Sequence, residues 1–186
     1  MEIRTAREED LTGIASIYVA GHRVAYQAAE DKPYLEKMRA EVEKESFEPE
    51  LDYERGYFVV GVEEGRLLGF AYGGIADQPN TAGFSELWVD PEHHGGATSK
   101  LLMKAFVEEM ISRGAVRMVG YVAEHNGRAT TFMRKTKARK VDRRDMRIFN
   151  NVADLPERRV AFAGWQWDEL PALVVRLNEM VGGANA

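Results

Sequence analysis

Leu11, Ile14, Ile17, Tyr18 and Gly21 recur at three- and four-residue intervals behind the acidic run Glu8-Glu9-Asp10, the spacing of one helix face with acids at its positive end. Ile3-Arg4 ahead of them reads as a short strand, so the chain opens strand then helix. Leu35, Met38 and Val42 punctuate the charged stretch Tyr34 to Phe47 and predict a second amphipathic helix, bounded by Pro33 and Pro49. The pattern changes at Tyr57. Tyr57 to Val62 is rich in strand formers, Glu64-Gly65 supplies a turn, and Leu67 to Tyr72 resumes extended character, which predicts a hairpin.

Phe84 to Val89 reads as a strand halted at Asp90-Pro91, and Leu101, Leu102, Ala105, Phe106 and Met110 then line a helix that Gly114 ends. Val116 to Val122 returns to strand, Gly127 to Lys135 to helix, and Met146 to Phe149 to strand. Trp165 and Trp167 alternate as on a strand. Leu170, Leu173, Val174, Leu177 and Met180 outline a last helix, suited either to cover the sheet or to form a homodimer contact. The alternation predicts an α/β (mixed α+β) fold, a central twisted mixed β-sheet flanked by helices.

At 186 residues and 45% hydrophobic content the chain suits one buried core. It has no run of about 18 apolar residues and no hydrophobic signal core, which predicts a cytoplasmic protein without a membrane span. It has no cysteine, which excludes disulfides, thiolate zinc sites and acyl transfer through a cysteine intermediate. The four histidines show no H-x-x-x-H spacing, so no metal is expected. A net charge of -5 argues against a general nucleic-acid binder, although Arg134, Lys135, Lys137, Arg139, Lys140, Arg143, Arg144 and Arg147 concentrate positive charge. That cluster reads as a solvated face or, in a minority reading, a nucleic-acid contact. Glu30 to Glu54 is dominated by acid.

Between Val89 and Leu101 a strand, a proline stop, the pair Gly95-Gly96 and the hydroxyls of Thr98 and Ser99 lead into a helix, the way a chain builds an anion cradle. The same pattern also fits an ordinary capped turn, and no G-x-x-x-x-G-K-[ST] is present. The stretch Glu86 to Leu102 resembles the acyl-CoA segment of the GNAT acetyltransferases, Q/R-x-x-G-x-G/A, with His93, Gly96 and Thr98 in the three key positions. His93 and Thr98 depart from the pattern. Asn126, Arg128, Ala129 and Phe132 match the family's N-x-R-A-x-x-F stretch, and the hairpin Val62 to Phe70 resembles the family in order and spacing. The resemblance covers Met1 to Phe149, so residues 1–186 are expected to form a single GNAT-like domain with 150–186 as a C-terminal extension.

The resemblance implies a GNAT-like acyl-CoA N-acyltransferase fold, acetyl-CoA as co-substrate, and direct transfer of the acetyl group to a primary amine. It places the cofactor along Leu87, Trp88, Val89, His94, Gly95, Gly96, Ala97, Thr98, Ser99 and Asn126, with Lys100, Arg134 and Lys135 near the adenosine phosphates. Removing a proton from an amine of pKa about 10.4 at pH 7 costs about 4.6 kcal/mol, whereas protonating a thiolate of pKa about 8.5 returns only about 2 kcal/mol. A base therefore matters more than an acid. Glu86, on the strand that faces the thioester in the family, is the first candidate, and Tyr121 is the second. Met133 stands where many relatives carry the tyrosine that protonates the thiolate, which with Thr98 motivates an alternative reading as an acyl-CoA-binding or protein-interaction module without turnover. The acceptor is expected near Val24 to Tyr57, where Glu41, Glu43, Glu45 and Glu48 favour a cation.

Overall fold

The computed structural model describes residues 1–51 and 56–183. Asp52 to Glu54, the end of the acidic stretch, lie outside the described residues. In chain order the elements are β1 (Glu2–Thr5), α1 (Leu11–Ala25), α2 (Lys32–Lys37), α3 (Ala40–Phe47), β2 (Gly56–Glu63), β3 (Arg66–Ile75), β4 (Thr81–Val89), α4 (Thr98–Ser112), β5 (Arg117–Ala123), α5 (Gly127–Lys135), β6 (Arg139–Ile148), β7 (Arg158–Trp167) and α6 (Leu170–Gly182).

Among the described residues the strands form one seven-stranded sheet in the order β1-β2-β3-β4-β5-β7-β6. Neighbours run antiparallel except β4 and β5, which are parallel and pair only from Thr81–Arg117 to Phe84–Gly120. Beyond that point the two strands separate. Alternation along each strand then sorts the core onto two faces. One face carries Ala71, Ala82, Phe84, Met118 and Trp165 beneath α4 and α6, where Leu102, Phe106 and Met110 are fully buried. The other carries Phe58, Val60 and Phe70 beneath α1 and α3, packed by Leu11, Ile14 and Phe47.

The apolar side of α6 covers the domain's own sheet: Leu170, Leu173 and Leu177 are buried in the cluster that holds α4, Trp165 and Trp167. The strand alternation of the two tryptophans is packing, and Trp167 also donates its indole N–H to Thr136 Oγ1 at 3.2 Å. Residues read as an extension thus supply β7, an interior strand paired with both β5 and β6. Gly114 ends α4 with φ +89°, as its position implied.

Two elements differ from the sequence reading. The expected helix Tyr34 to Phe47 is broken, because Met38 leaves helical geometry at φ -59°, ψ 132° and buries its side chain beneath Val19 and Phe149. The last family-like strand begins at Arg139, seven residues before the expected Met146. Its first half, Arg139 to Asp145, is the exposed edge of the sheet and carries charge rather than alternating apolar residues, which hides it from a periodicity search and discourages edge-to-edge pairing. Most of its cations are paired: Arg139 with Asp168 at 3.1 Å, Lys140 and Arg143 with Glu124 at 2.9 and 3.2 Å, and Arg144 with Asp142 at 2.9 Å. The positive cluster is in large part an ion-paired surface strand.

Candidate active site

One inserted residue decides which way the central carboxylate points. Tyr72 pairs with Glu86, but Gly73 pairs with Phe84, so Ser85 is a β-bulge in β4. In a regular strand Phe84 and Glu86 would share a face. The bulge reverses the parity: Phe84, Leu87 and Val89 pack toward α4, while Glu86 and Trp88 turn toward α1. Deleting one residue here would drive a carboxylate and an indole into the opposite core.

The bulge lies where β4 and β5 part, so the backbone from Ser85 to Val89 has lost its partner on the β5 side. Asp90 N–H bonds Leu68 C=O at 2.8 Å, which fixes the phase of the ladder with β3. By the two-residue alternation of antiparallel pairs, Leu87 and Val89 then aim their amides into the gap, whereas those of Glu86 and Trp88 serve β3. The Val89 carbonyl is taken by His94, whose Nε2–H donates to it at 3.0 Å. Burial, helped by Arg128, lowers the His94 pKa.

Beyond His94 the chain turns through Gly95, at φ +90° with open space where a Cβ would stand, and enters α4. Ala97, without a capping side chain, precedes the first helical residue. The amides of Gly95, Gly96, Ala97, Thr98 and Ser99 have no hydrogen-bond acceptor among the described residues. Five unpartnered amides at the start of a 15-residue helix form a positive cradle. His94, Gly95, Gly96, Ser99, Lys100, Arg128 and Lys135 border the open cleft of about 2050 Å³ that runs from this cradle to Glu86. Thr98 does not present its hydroxyl there: its side chain is buried and its Oγ1 faces Met1 Sδ at 3.6 Å. Asn126 caps α5 by accepting the Ala129 N–H at 3.0 Å and borders the cleft from the β5 side.

Glu86 sits at the head of the cleft, half-buried. Burial, with a smaller contribution from Glu43, pushes its pKa up to about 7 against the opposing effect of the Trp88 indole N–H, which donates to Oε2. A carboxyl group poised there can accept a proton at neutral pH. Trp88 is clamped in turn. His22 stacks on it at 4.6 Å, Tyr18 meets it edge-on at 5.5 Å, and Gly21 lets α1 come close enough that an added Cβ would stand 2.3 Å from Trp88 Cε3. Gly21→Ala is therefore expected to cost about 1–3 kcal/mol, lowering Tm by roughly 2–12 °C and displacing the indole. A thermal scan with tryptophan fluorescence checks it.

His22 donates Nδ1–H to the Tyr18 carbonyl at 3.0 Å, and burial lowers its pKa to about 4, so the ring is neutral at physiological pH. Sequence reasoning weighed His22 only as a metal ligand. Its i, i+4 relation to Tyr18 and Tyr26 was the signal for an aromatic stack. Tyr121 also lines the cleft, but its phenol O–H donates to Asp142 Oδ2 at 3.0 Å and Arg144 lies over its ring at 4.7 Å. Burial and Asp142 both raise its pKa. Tyr121 and Glu86 thus stand on opposite lips of the gap, and only Glu86 has an acid-base group tuned near neutrality. Met133 is buried in the core below α5, a packing residue where the family's tyrosine would stand.

Asp90, Glu92 and His93 bring ligand atoms within 4.8 Å of one another at the mouth of the loop. Arg66 supplies the counter-charge there, donating to Asp90 at 2.7 Å and Glu92 at 2.8 Å.

The family model described as acetyltransferase (GNAT) family matches residues 21–137. The chain belongs to the GNAT acetyltransferase family. No curated protein matches its sequence. Among solved structures it resembles the PaiA N-acetyltransferase of Thermoplasma acidophilum in complex with coenzyme A, at TM-score 0.69 and 20% identity over 89% of this chain and 98% of that one. It also resembles an N-acetyltransferase from Staphylococcus aureus Mu50, at TM-score 0.66 and 21% identity over 90% and 97%. The yncA protein of Salmonella typhimurium, solved with its cofactor acetyl-CoA, superposes at TM-score 0.65 and 19% identity over 90% and 93%. Among the described residues no helix is long and apolar enough to cross a membrane.

Proposed function

We propose that the protein transfers an acetyl group from acetyl-CoA directly to a primary amine, with Glu86 as the general base. The observation that carries this reading is a carboxyl group poised near pH 7 beside the gap in which two amides of β4 have no strand partner. The cradle at Gly95 to Ser99 suits the pyrophosphate of the donor, and the relatives crystallised with coenzyme A and acetyl-CoA support that assignment. When bound, acetyl-CoA supplies an acetyl group activated as a thioester.

The residues of the chain then divide the work. The Leu87 and Val89 amides are placed to donate hydrogen bonds to groups lying in the gap, and hydrogen-bond donors in a fixed arrangement stabilise developing negative charge. Glu86 withdraws a proton from the acceptor ammonium, directly or through one water, leaving a neutral nitrogen. In the overall exchange a C–N bond replaces the C–S bond, and the proton held by Glu86 is returned to the sulfur side or to solvent. Tyr121, tied to Asp142, lines the wall, and solvent serves as the final acid.

Thiol release over a panel of amines with acetyl-CoA tests the reading, and silence with every acyl-CoA and every amine class would overturn it. Because the base must be ionised, kcat/KM should rise about tenfold per pH unit below about 7 and flatten above it. A kcat/KM independent of pH between 5.5 and 8 would remove Glu86 from this role.

A further inference from the structure

Next to the cleft, on the α3 side of Glu86, lies a second cavity of about 340 Å³. It opens onto the same carboxylate, since Tyr18, Ser85, Glu86 and Phe149 border both spaces. Its far wall holds Glu43, a carboxylate only 3% exposed. Asn151 Nδ2 donates to Glu43 Oε2 at 2.8 Å, and the other carboxyl oxygen has no hydrogen-bond partner among the described residues. Among the described residues no lysine, arginine or histidine lines the cavity. The remaining walls mix the rings of Tyr18, Phe47, Tyr72 and Phe149 with serine and asparagine residues.

Two carboxyl groups facing one small space, with no cation from the described residues between them, are an unfinished electrostatic arrangement. Burial raises the pKa of Glu43, and Glu43 in turn adds to the rise at Glu86. A cation between them would favour the ionised form of both. Aromatic walls suit the ammonium of such a ligand and the methylenes that carry it. The volume belongs to a small molecule rather than a folded protein surface. The absence of basic side chains in the cavity disfavours acceptors that bring a carboxylate of their own, such as free amino acids.

We infer that the acceptor is a small aliphatic amine with a second cationic nitrogen, which Glu43 binds while the reacting nitrogen lies at Glu86. The inference rests on the acetyltransferase reading above and assigns its acceptor class. Glu43 acts as a specificity residue, beyond its smaller contribution to the raised pKa of Glu86.

The experiment compares linear diaminoalkanes of increasing length with monoalkylamines of matched length, in wild type and Glu43→Gln, at saturating acetyl-CoA. Diamines should exceed monoamines in kcat/KM by about 10- to 100-fold, the range of one charge-assisted hydrogen bond, chiefly through KM. In Glu43→Gln that preference should collapse. Equal kcat/KM for the two amine classes in wild type overturns the inference without needing the variant, as does a variant that weakens both classes alike. Calorimetry of the diamines with the CoA-saturated protein separates this result from failure of the acetyltransferase reading. If no amine is acetylated but diamines bind wild type and lose about tenfold or more in affinity in Glu43→Gln, the reaction assignment falls and the cavity assignment stands. If diamines neither react nor bind, both fall.

Discussion

Glu86→Gln should lower kcat by about 10²- to 10⁴-fold while leaving acetyl-CoA affinity within a few-fold, because the amide cannot take the amine's proton yet still accepts the Trp88 N–H. The remaining activity should also lose its inflection near pH 7. A loss of activity could instead reflect misfolding, and the direction of the pKa shift separates the two. The folded carboxyl binds its proton up to about pH 7, whereas in the unfolded chain it releases it near its ordinary value of 4.5. Between those values the folded state holds the extra proton, so stability falls as pH rises, and the whole cost of burying the charge is present above about 7. The amide carries no such cost. Glu86→Gln should therefore melt at the same temperature as wild type or higher at pH 8, and the excess should vanish toward pH 4. Turnover within about threefold of wild type would exclude Glu86 as base, and a lower Tm at pH 8 would place its carboxylate in a structural role.

The fold was legible because its elements follow simple rules. The apolar face of α4, the hairpin of β2 and β3, and the glycine at the end of α4 each announce themselves through period or backbone chemistry. The edge strand β6 did not, because a charged edge has no apolar alternation to read. The broken helix at Met38 was hidden for another reason: the charges on either side look the same whether or not the chain breaks there, and only the burial of one methionine against Val19 and Phe149 decides it.

The candidate site divides in the same way. Glu86 and the glycine turn were visible because motif order survives even when individual motif positions change. The orientation of Glu86 was not visible, since it depends on a bulge at Ser85 that only the pairing with β3 defines. The sequence offers the Thr98 hydroxyl either as a helix cap or as a donor to the cradle, but its side chain turns inward toward Met1 and leaves only its amide there. The aromatic stack of Tyr18, His22, Tyr26 and Trp88, and the carboxyl of Glu43 beyond it, bring together residues from α1, α3 and β4. No local pattern encodes such a meeting.

The bulge also makes the neighbouring backbone a sensitive point, and Gly73→Ala should expose it. A Cβ at Gly73 would stand 2.1 Å from the Gly83 carbonyl oxygen and 2.8 Å from Cζ of Phe106. Neither obstacle yields easily: one is the backbone of the facing strand, and the other is a ring buried without exposure in the main core. The strands must part instead, beside the residue that sets the phase of β4. The cost should be near the upper end of overpacking, about 3 kcal/mol, or roughly 6–12 °C in Tm for a chain of this size. Because the separation falls one residue from the pairing of Tyr72 with Glu86, kcat should drop at least about tenfold even at temperatures where the variant is folded, displacement of a reacting group being costly. Gly127→Ala is the matched control. It starts α5 with nothing within 4 Å of the new Cβ, and it should be neutral or stabilise by about 0.4–1 kcal/mol through the unfolded chain. If both variants melt with wild type, the tight β3–β4 approach described here is wrong. If Gly73→Ala melts early but keeps its kcat, the bulge shapes the sheet without positioning Glu86.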